Sequence, residues 1–225
     1  MLERFAFHNG KLNRKKCRFR ETKIEFLGHI IEDGVVSAPA SKVQAIQDYP
    51  EPTDQKELMR FLGMSGYLRE YVPNYSLVSA PLSSLTKKDG FFWGGEERRS
   101  FEAIKKAILD NTSRHIFKPE VKCELHTDAS TVGVAAILFQ EHHPIGFYSR
   151  KLSPAEQKYP ATELEAMAVV NAVTYFRHYL EGMHFTVVTD HQALKSLHKT
   201  KDNNRRLFKR SHELSLYDYD VVHRP

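Results

Sequence analysis

The chain lacks the features that mark membrane proteins and disulfide-bonded secreted domains. No apolar run among its 225 residues approaches the roughly 20 residues that a membrane-spanning helix needs. The N-terminal segment lacks the long apolar core of a signal peptide. Only two cysteines are present, Cys17 and Cys123, and their spacing is not that of a metal site. We therefore expect reduced thiols, no membrane partner, and an intracellular location in a cytoplasmic particle or the nucleus.

The composition instead favours a globular protein with a polyanionic partner. Hydrophobic residues make up 41% of the chain, which is enough for a substantial core. The formal net charge is +5 at pH 7, which by itself favours a polyanion only weakly. Two segments, 11–20 and 199–210, concentrate the positive charge. A solvated surface explains each segment equally well, so charge alone does not assign nucleic-acid binding.

Apolar spacing divides the first half of the chain into a strand pair and a helical region. Residues 11–36 have strand-like composition and include the turn sequence Glu32-Asp33-Gly34. Helical spacing follows in residues 37–115. The predicted helices run from Asp54, which forms a capping pair with Glu57, to Pro73, from Val78 to Leu85, and from Glu96 to Leu109. The pattern becomes strand-like around 111–120, where we place the domain boundary.

The second half alternates between strand and helix patterns, which is typical of an α/β domain. The predicted strands cover 121–128, 134–140, 144–149, 184–189 and 219–223, and the predicted helices cover 161–180, 192–197 and 204–216. The first three strands are consecutive and indicate an antiparallel meander, whereas helices separate the later strands. The predicted fold class is therefore α/β: a small helical region followed by a domain with a mixed five-stranded sheet.

Three carboxylates occupy positions where predicted strands end or a helix begins. Asp128 and Asp190 each close an apolar, β-branched run, and Glu165 opens a helical one. Each also has an ordinary explanation: Asp128 as a turn residue, Glu165 in a capping box with Thr162, and Asp190 as an N-cap. If the three acids converge at one rim of the sheet, they repel one another unless cations neutralise them. Mg²⁺ or Mn²⁺, which prefer oxygen ligands, would suit such a site.

A site of this kind is suited to two-metal hydrolysis of a phosphodiester. One ion would activate a water and the other would stabilise the leaving oxygen, with the ions roughly 3.5–4 Å apart. The spacing of the 12 histidines is not that of metal-binding residues. His126 shares a strand face with Asp128, but a structural role is favoured over a catalytic one. No small-molecule cofactor is expected.

Short motifs follow one another in a specific order along nearly the whole chain. They are LNRKKC (12–17), FLGH (26–29), RFLGMSGYLR (60–69), PLSSLT (81–86), FW (92–93), TDAS (127–130), YSRKLS (148–153), FRHYL (176–180), TDHQAL (189–194) and YDYDVVHRP (217–225). With these motifs the chain resembles the C-terminal part of a gypsy-type reverse transcriptase, which belongs to the Pol polyprotein of a long-terminal-repeat retrotransposon. The resemblance implies the end of the palm in residues 1–36, the thumb and connection in 37–115, and a ribonuclease H domain, truncated at its C-terminus, in 116–225.

The resemblance also implies an activity, namely metal-dependent endonucleolytic hydrolysis of the RNA strand in RNA–DNA hybrids with two Mg²⁺ or Mn²⁺ ions. The catalytic, metal-binding positions of the family carry over to Asp128, Glu165 and Asp190. Glu165 is chosen over Glu163 because it directly precedes the run 166–169, as in the family motif. The two glutamates point about 160–200° apart on a helix, so only one of them can face the metals.

The expected partners are an RNA–DNA hybrid and the remainder of the Pol polyprotein, with its polymerase palm and fingers and its integrase. The hybrid would be held mainly through its phosphates, and the 2′-hydroxyls would report which strand is RNA. The candidate nucleic-acid-binding residues are Lys15, Lys16, Arg18, Arg150, Lys151, Arg205, Arg206, Lys209 and Arg210.

Departures from the family pattern leave a second function open. The fourth carboxylate of the family lies beyond Pro225, and the paired aspartates of its polymerase site lie upstream of Met1. The polymerase active site is therefore expected to be absent from this chain. The alternative to a hydrolase is a catalytically inactive, hybrid-binding remnant of a decayed or truncated element.

Overall fold

Two sheets and the helices around them make up the protein in a computed structural model that describes residues 2–87, 90–192, 194 and 205–224. The N-terminal elements are α1 (Leu2–Phe7), β1 (Lys23–Phe26), β2 (His29–Glu32), β3 (Val35–Ser37), α2 (Ala40–Gln47), α3 (Gln55–Tyr67), α4 (Tyr75–Val78), α5 (Ala80–Leu85), α6 (Gly95–Asp110) and β4 (Ser113–His115). The C-terminal elements are β5 (Cys123–Ala129), β6 (Gly133–Gln140), β7 (His143–Lys151), α7 (Ala161–Tyr175), α8 (Arg177–Leu180), β8 (Phe185–Thr189), α9 (Arg205–Leu214) and β9 (Tyr219–His223).

The first sheet is antiparallel, with the strand order β1-β2-β3-β4. The predicted strand pair over 11–36 is correct only for its second half, since Arg14–Lys16 form a 3-10 turn and the strands begin at Lys23. Strand β4 was not predicted and lies in the stretch interpreted as a boundary. With three residues it is too short to show alternation, and its pairing with β3 is a contact between distant parts of the chain.

Helix α3 begins as the sequence predicts. The Asp54 side chain accepts a hydrogen bond of 2.7 Å from the Glu57 amide, while the Glu57 carboxylate accepts from the Thr53 amide rather than from that of Asp54. The helix ends at Tyr67, earlier than predicted, and a 3-10 turn at Arg69–Tyr71 carries the chain towards Pro73.

One further helix prediction needs correction, and one helix was not predicted. The predicted helix over 78–85 is divided into α4 and α5 at Ser79, and Pro81 lies in the first turn of α5, where its missing N–H is not needed. Helix α2 was not predicted at all. Helix α6 agrees with the prediction for 96–109 and packs its apolar face into the helical core, where the Phe101 and Phe61 rings lie 4.5 Å apart.

The second sheet confirms the predicted fold class. Its strand order is β7-β6-β5-β8-β9; β5, β6 and β7 are antiparallel, whereas β5–β8 and β8–β9 are parallel. Along β5 the buried residues Cys123, Leu125 and Thr127 alternate with more exposed ones. Helix α7 packs on the face that carries Leu125, so one apolar core lies between this helix and the sheet.

The helices of this domain differ from the predicted helices in one place. The predicted helix over 161–180 is interrupted at Phe176, where the backbone leaves helical geometry and the ring is buried beside Gly146. Helix α9 agrees with the prediction for 204–216, whereas most of the predicted helix over 192–197 lies outside the described residues.

In the part of the chain that the structure describes, no helix is both long and apolar enough to cross a membrane.

The helical region contacts the second sheet through α4 and β7. The Ser76 amide donates to the Ser149 hydroxyl at 2.9 Å, and the Ser76 hydroxyl donates to the Ser149 carbonyl at 2.8 Å. Leu77 lies directly over Gly133 at the start of β6. A side chain at position 133 would meet both Leu77 and the backbone of β7, so glycine permits the close approach.

We predict that Gly133→Ala destabilises the protein by about 1–3 kcal/mol. The new Cβ would lie 2.6 Å from the Arg150 carbonyl oxygen, which belongs to backbone and cannot easily move. Urea unfolding gives the stability, and Gly95→Ala is the matched control because nothing lies within 4 Å of the corresponding Cβ. Equal unfolding midpoints for the two variants would contradict the proposed packing.

Candidate functional site

The parallel pairing of β5 and β8 brings Asp128 and Asp190 to the same edge of the sheet. The strand register places His126 opposite Val188, and two residues further each strand reaches its aspartate. Both aspartates are exposed. They line a pocket of about 270 Å³ at this edge, so the sheet gathers two carboxylates that lie 62 positions apart in the chain.

The turn after Asp128 is stabilised by a different side chain. The Ser130 hydroxyl accepts hydrogen bonds of 3.2 Å from the amides of Val132 and Gly133. Asp128 itself is still within β5. The interpretation of Asp128 as a turn-capping residue is therefore wrong.

Glu165 lies in the second turn of α7 and is almost fully buried, with 6% of its surface exposed. It accepts a hydrogen bond from the Ala129 amide, and its buried Oε2 has no hydrogen-bond partner. Burial raises the pKa of Glu165 to about 7, and the negative charges of Asp190 and Asp128 act in the same direction. Glu165 therefore interacts electrostatically with both aspartates.

The capping box predicted for Thr162 and Glu165 does not form. The N-cap of α7 is Pro160, without a side-chain capping bond. The Thr162 hydroxyl lies instead 3.4 Å from the Nε2 atom of His191.

Glu163 faces away from the two aspartates. Its carboxylate lies 3.0 Å from the Nε atom of Arg206 in α9, and Arg210 donates to its carbonyl oxygen. Glu163 therefore joins α7 to α9, whereas Glu165 faces the sheet edge with the aspartates. The structure thus brings together the three carboxylates predicted as a site and separates Glu163 from them.

The three carboxylates fit a divalent cation in their chemistry. They offer oxygen donors only, and the Glu165 Oε2 atom lacks the hydrogen bond that a buried carboxylate oxygen normally has. Among the residues that the structure describes, no three His, Cys, Asp or Glu side chains are already arranged to hold an ion. Binding an ion therefore requires the exposed Asp128 and Asp190 to change rotamer.

Residues 118–217 match the family model described as the RNase H-like domain found in reverse transcriptase. The chain carries a reverse-transcriptase RNase H-like domain. The prediction of this domain from the sequence is thereby confirmed, while the narrower assignment to the gypsy type stays a prediction.

Similar proteins include Pol polyproteins of retrotransposons. The Retrovirus-related Pol polyprotein from transposon 297 of Drosophila melanogaster is 39% identical over 221 residues, which cover 97% of this chain and 21% of that protein. The Transposon Tf2-3 polyprotein of Schizosaccharomyces pombe is 30% identical over 235 residues, which cover 100% of this chain and 18% of that protein. The chain thus spans about a fifth of the length of these curated relatives.

Solved structures of the foamy viral protease-reverse transcriptase share the fold. The structure in complex with an RNA/DNA hybrid has a TM-score of 0.75 and 22% identity, covering 92% of this chain and 30% of that one. The structure in complex with dsDNA has a TM-score of 0.77 and 22% identity, covering 94% of this chain and 46% of that one.

Two basic side chains of the RNase H-like domain border the aspartate pocket. His126 and Arg224 line it, and both contact Glu124, at 2.9 Å and 3.3 Å respectively. Hydrogen bonding from His126, followed by the charge of Arg224, lowers the pKa of Glu124. Arg224 was not singled out from the sequence, since it follows the final strand and only the fold brings it to Asp128 and Asp190.

Some of the predicted nucleic-acid-binding residues have partners within the protein. Arg150 forms two hydrogen bonds of 2.9 Å with Glu156, whose pKa it holds at about 2. Arg206 pairs with Glu163 and also stacks over the Tyr159 ring, 4.4 Å from its centroid. Arg210 lies near the same ring, and burial lowers its pKa. These three arginines therefore hold α9, α7 and the segment after β7 together.

The other residues that were predicted to bind nucleic acid are more exposed. Lys15, Lys16 and Arg18 are exposed in the N-terminal segment. Lys151 is exposed and lies 3.2 Å from the Ser84 hydroxyl. The Lys209 side chain is 79% exposed, and its ion pair with Glu213 is long at 3.8 Å. The side chain of Arg205 lies outside the described part of the chain.

The basic residues of β7 and α9 are neighbours in the fold. Arg150, Arg206, Lys209 and Arg210 line one pocket of about 280 Å³ beside α7. Those of the N-terminal segment belong to the other region of the protein. The described candidates thus lie on different parts of the chain, in the N-terminal segment and on β7 and α9.

We predict that Glu165→Gln makes the protein more stable above pH 7 when divalent ions are removed with EDTA. Because the folded-state pKa is raised from 4.5 to about 7, the stability of the unmodified protein is complete below about pH 4.5 and is lost as the pH rises through 7. The loss amounts to about 3 kcal/mol at pH 8. The variant, which has no charge to lose, is expected to show no such fall.

Thermal unfolding between pH 5 and pH 8 measures this difference. Glu163→Gln is the control, since it weakens a buried ion pair with Arg206 and is expected to destabilise the protein at every pH in that range. Parallel pH profiles for Glu165→Gln and the unmodified protein would show that Glu165 is not buried beside the aspartates.

Proposed function

We propose that the chain is the RNase H part of a retrotransposon reverse transcriptase, of the gypsy type, and that it cleaves the RNA strand of RNA–DNA hybrids endonucleolytically. The observation that carries this proposal is the buried carboxylate of Glu165, which has an oxygen without a partner and interacts with Asp128 and Asp190. A group perturbed in this way, inside an RNase H-like domain, favours an active site over a structural one.

In this proposal Asp128, Glu165 and Asp190 hold two Mg²⁺ or Mn²⁺ ions. Bound ions would supply an activated water and would stabilise the leaving oxygen of the phosphodiester. The Ala129 amide holds Glu165 in place, and the exposed aspartates would turn towards it when an ion binds. Arg224 brings positive charge to the same pocket, which His126 also lines and where the backbone of the substrate would lie.

The substrate would be held by the exposed cations. Lys209 and Lys151 are suited to the phosphates near the active site, and Lys15, Lys16 and Arg18 to those further along the hybrid. The likeness in fold to a reverse transcriptase solved with an RNA/DNA hybrid supports this class of ligand. We further propose that residues 1–36 are the end of a palm, 37–115 a thumb and connection, and 116–225 the RNase H domain, in a longer Pol polyprotein.

We predict that Asp128→Asn reduces cleavage of a labelled RNA–DNA hybrid by about 100-fold or more in Mg²⁺ or Mn²⁺. The amide cannot supply the negative charge that two cations require. Hybrid affinity is expected to stay within about threefold, since the cations proposed to hold the phosphates are unchanged in this variant. Asp110→Asn, at the exposed end of α6, is the matched control and should cleave normally.

Either outcome of this assay is informative. Cleavage by the unmodified chain and not by Asp128→Asn supports the hydrolase. Salt-sensitive hybrid binding without cleavage at any Mg²⁺ or Mn²⁺ concentration would overturn it in favour of the inactive binding remnant.

We predict that Lys209→Ala and Arg206→Ala act on different properties. Lys209→Ala should weaken hybrid binding a few-fold and reduce the salt slope of log K by about 1, with no change in melting temperature. Arg206→Ala should destabilise the protein by about 2 kcal/mol, because Glu163, whose side chain is 4% exposed, loses its ion pair. Fluorescence anisotropy at several salt concentrations and thermal unfolding separate the effects. An unchanged salt slope for Lys209→Ala would remove it from the interface.

A further inference from the structure

The segment that carries Asp190 is held on one side by a histidine of β9. The Nε2 atom of His223 lies 2.8 Å from the Asp190 carbonyl oxygen. A carbonyl oxygen only accepts hydrogen bonds, so His223 carries its proton on Nε2 and donates it. The Arg224 amide also donates to the Thr189 carbonyl at 3.0 Å, which continues the ladder between β8 and β9. The backbone at Asp190 is thus anchored to the last strand.

A second histidine holds the same segment on the side of α7. The Nε2 atom of His191 lies 3.4 Å from the Thr162 hydroxyl, in the first turn of the helix that carries Glu165 one turn later. The His191 amide donates to the Thr189 hydroxyl at 3.2 Å. The His191 side chain is partly buried, and its Nδ1 atom is buried without a hydrogen-bond partner.

These contacts oppose the electrostatic force between the carboxylates. The charges of Asp190 and Glu165 repel each other, and the Asp190 side chain is exposed and can turn towards water. Its backbone, however, is tied to β9 by His223 and to α7 by His191. Two hydrogen-bonded histidines therefore support the position of the Asp190 backbone relative to α7 and β9, and neither of them needs to touch a substrate.

We propose that His191 and His223 are positioning residues that brace the Asp190 segment against α7 and β9, and thereby keep the Asp190 backbone where its side chain can turn towards Glu165 and share a divalent cation with it. This inference rests on the proposed function, since it concerns the same three carboxylates. It assigns a role to two histidines for which the sequence favoured an ordinary structural one.

Two pairs of variants in the full chain test the brace. Thr162→Val removes the hydroxyl that meets His191, whereas Thr162→Ser keeps it. His223→Phe removes the donor to Asp190, whereas His223→Gln retains an N–H group at a similar reach. Titration calorimetry with Mn²⁺ alone measures ion binding, and thermal unfolding in EDTA measures folding.

Thr162→Val and His223→Phe are expected to weaken Mn²⁺ binding about tenfold, the scale of lost outer-sphere contacts at metal sites. Thr162→Ser and His223→Gln should stay within about threefold of the unmodified chain. The Mg²⁺ concentration that gives half-maximal cleavage should rise in the same two variants, while KM for the hybrid stays constant. This selective change, with rescue by the conservative variants, is not expected from a general loss of stability.

Three outcomes would overturn the inference. Normal Mn²⁺ affinity in Thr162→Val and His223→Phe would show that the brace does not control the site. Equal weakening in all four variants, together with a lower melting temperature, would show a structural role only. If the unmodified chain binds no Mn²⁺, the proposed function itself fails, which is distinct from a chain that binds Mn²⁺ regardless of these substitutions.

Discussion

Parallel hydrogen bonding between β5 and β8 places the carboxyl ends of both strands at one edge of the sheet, and Asp128 and Asp190 consequently share that edge. Helix α7 covers the adjoining face and brings Glu165 against the Ala129 amide. If the two strands were antiparallel, the two aspartates would lie at opposite edges of the sheet. The candidate active site is therefore a consequence of sheet topology more than of any local sequence.

Placing three carboxylates close together lowers the stability of the domain. A buried carboxylate loses hydration, and nearby negative charges increase the cost of ionising it. The apolar core between α7 and the sheet holds Glu165 despite this cost, because residues on the opposite face of the same helix are fixed by α9. Neutralisation by cations would relieve the repulsion, so the feature that weakens folding is the one that would confer affinity for metal.

The basic residues differ in what they do: some stabilise the domain, and others are available to bind a polyanion. Arg150 and Arg206 each bind a carboxylate of the protein, and Arg210 is partly buried beside them. Lys209, one position before Arg210, extends into solvent. In the sequence all four belong to the same class of candidate. Their partners lie on other elements, so only the fold separates the cations that stabilise the domain from those available to a polyanion.

The sequence by itself determined the mixed five-stranded sheet, most of its strand positions and helices α3, α6 and α9, since apolar periodicity and motifs are local properties of the chain. It also singled out the three carboxylates, whose role as a site stays a prediction. It did not reveal β4, α2 or the interruption at Phe176, because these depend on short segments and on contacts between distant residues. Tertiary structure alone decided that Thr162 meets His191 rather than capping α7, that Glu163 pairs with Arg206, and that Arg224 reaches the aspartate pocket. The physical reason is the same in each case: a side chain's partner depends on which strands and helices become neighbours, and that choice is made by the packing of the whole domain.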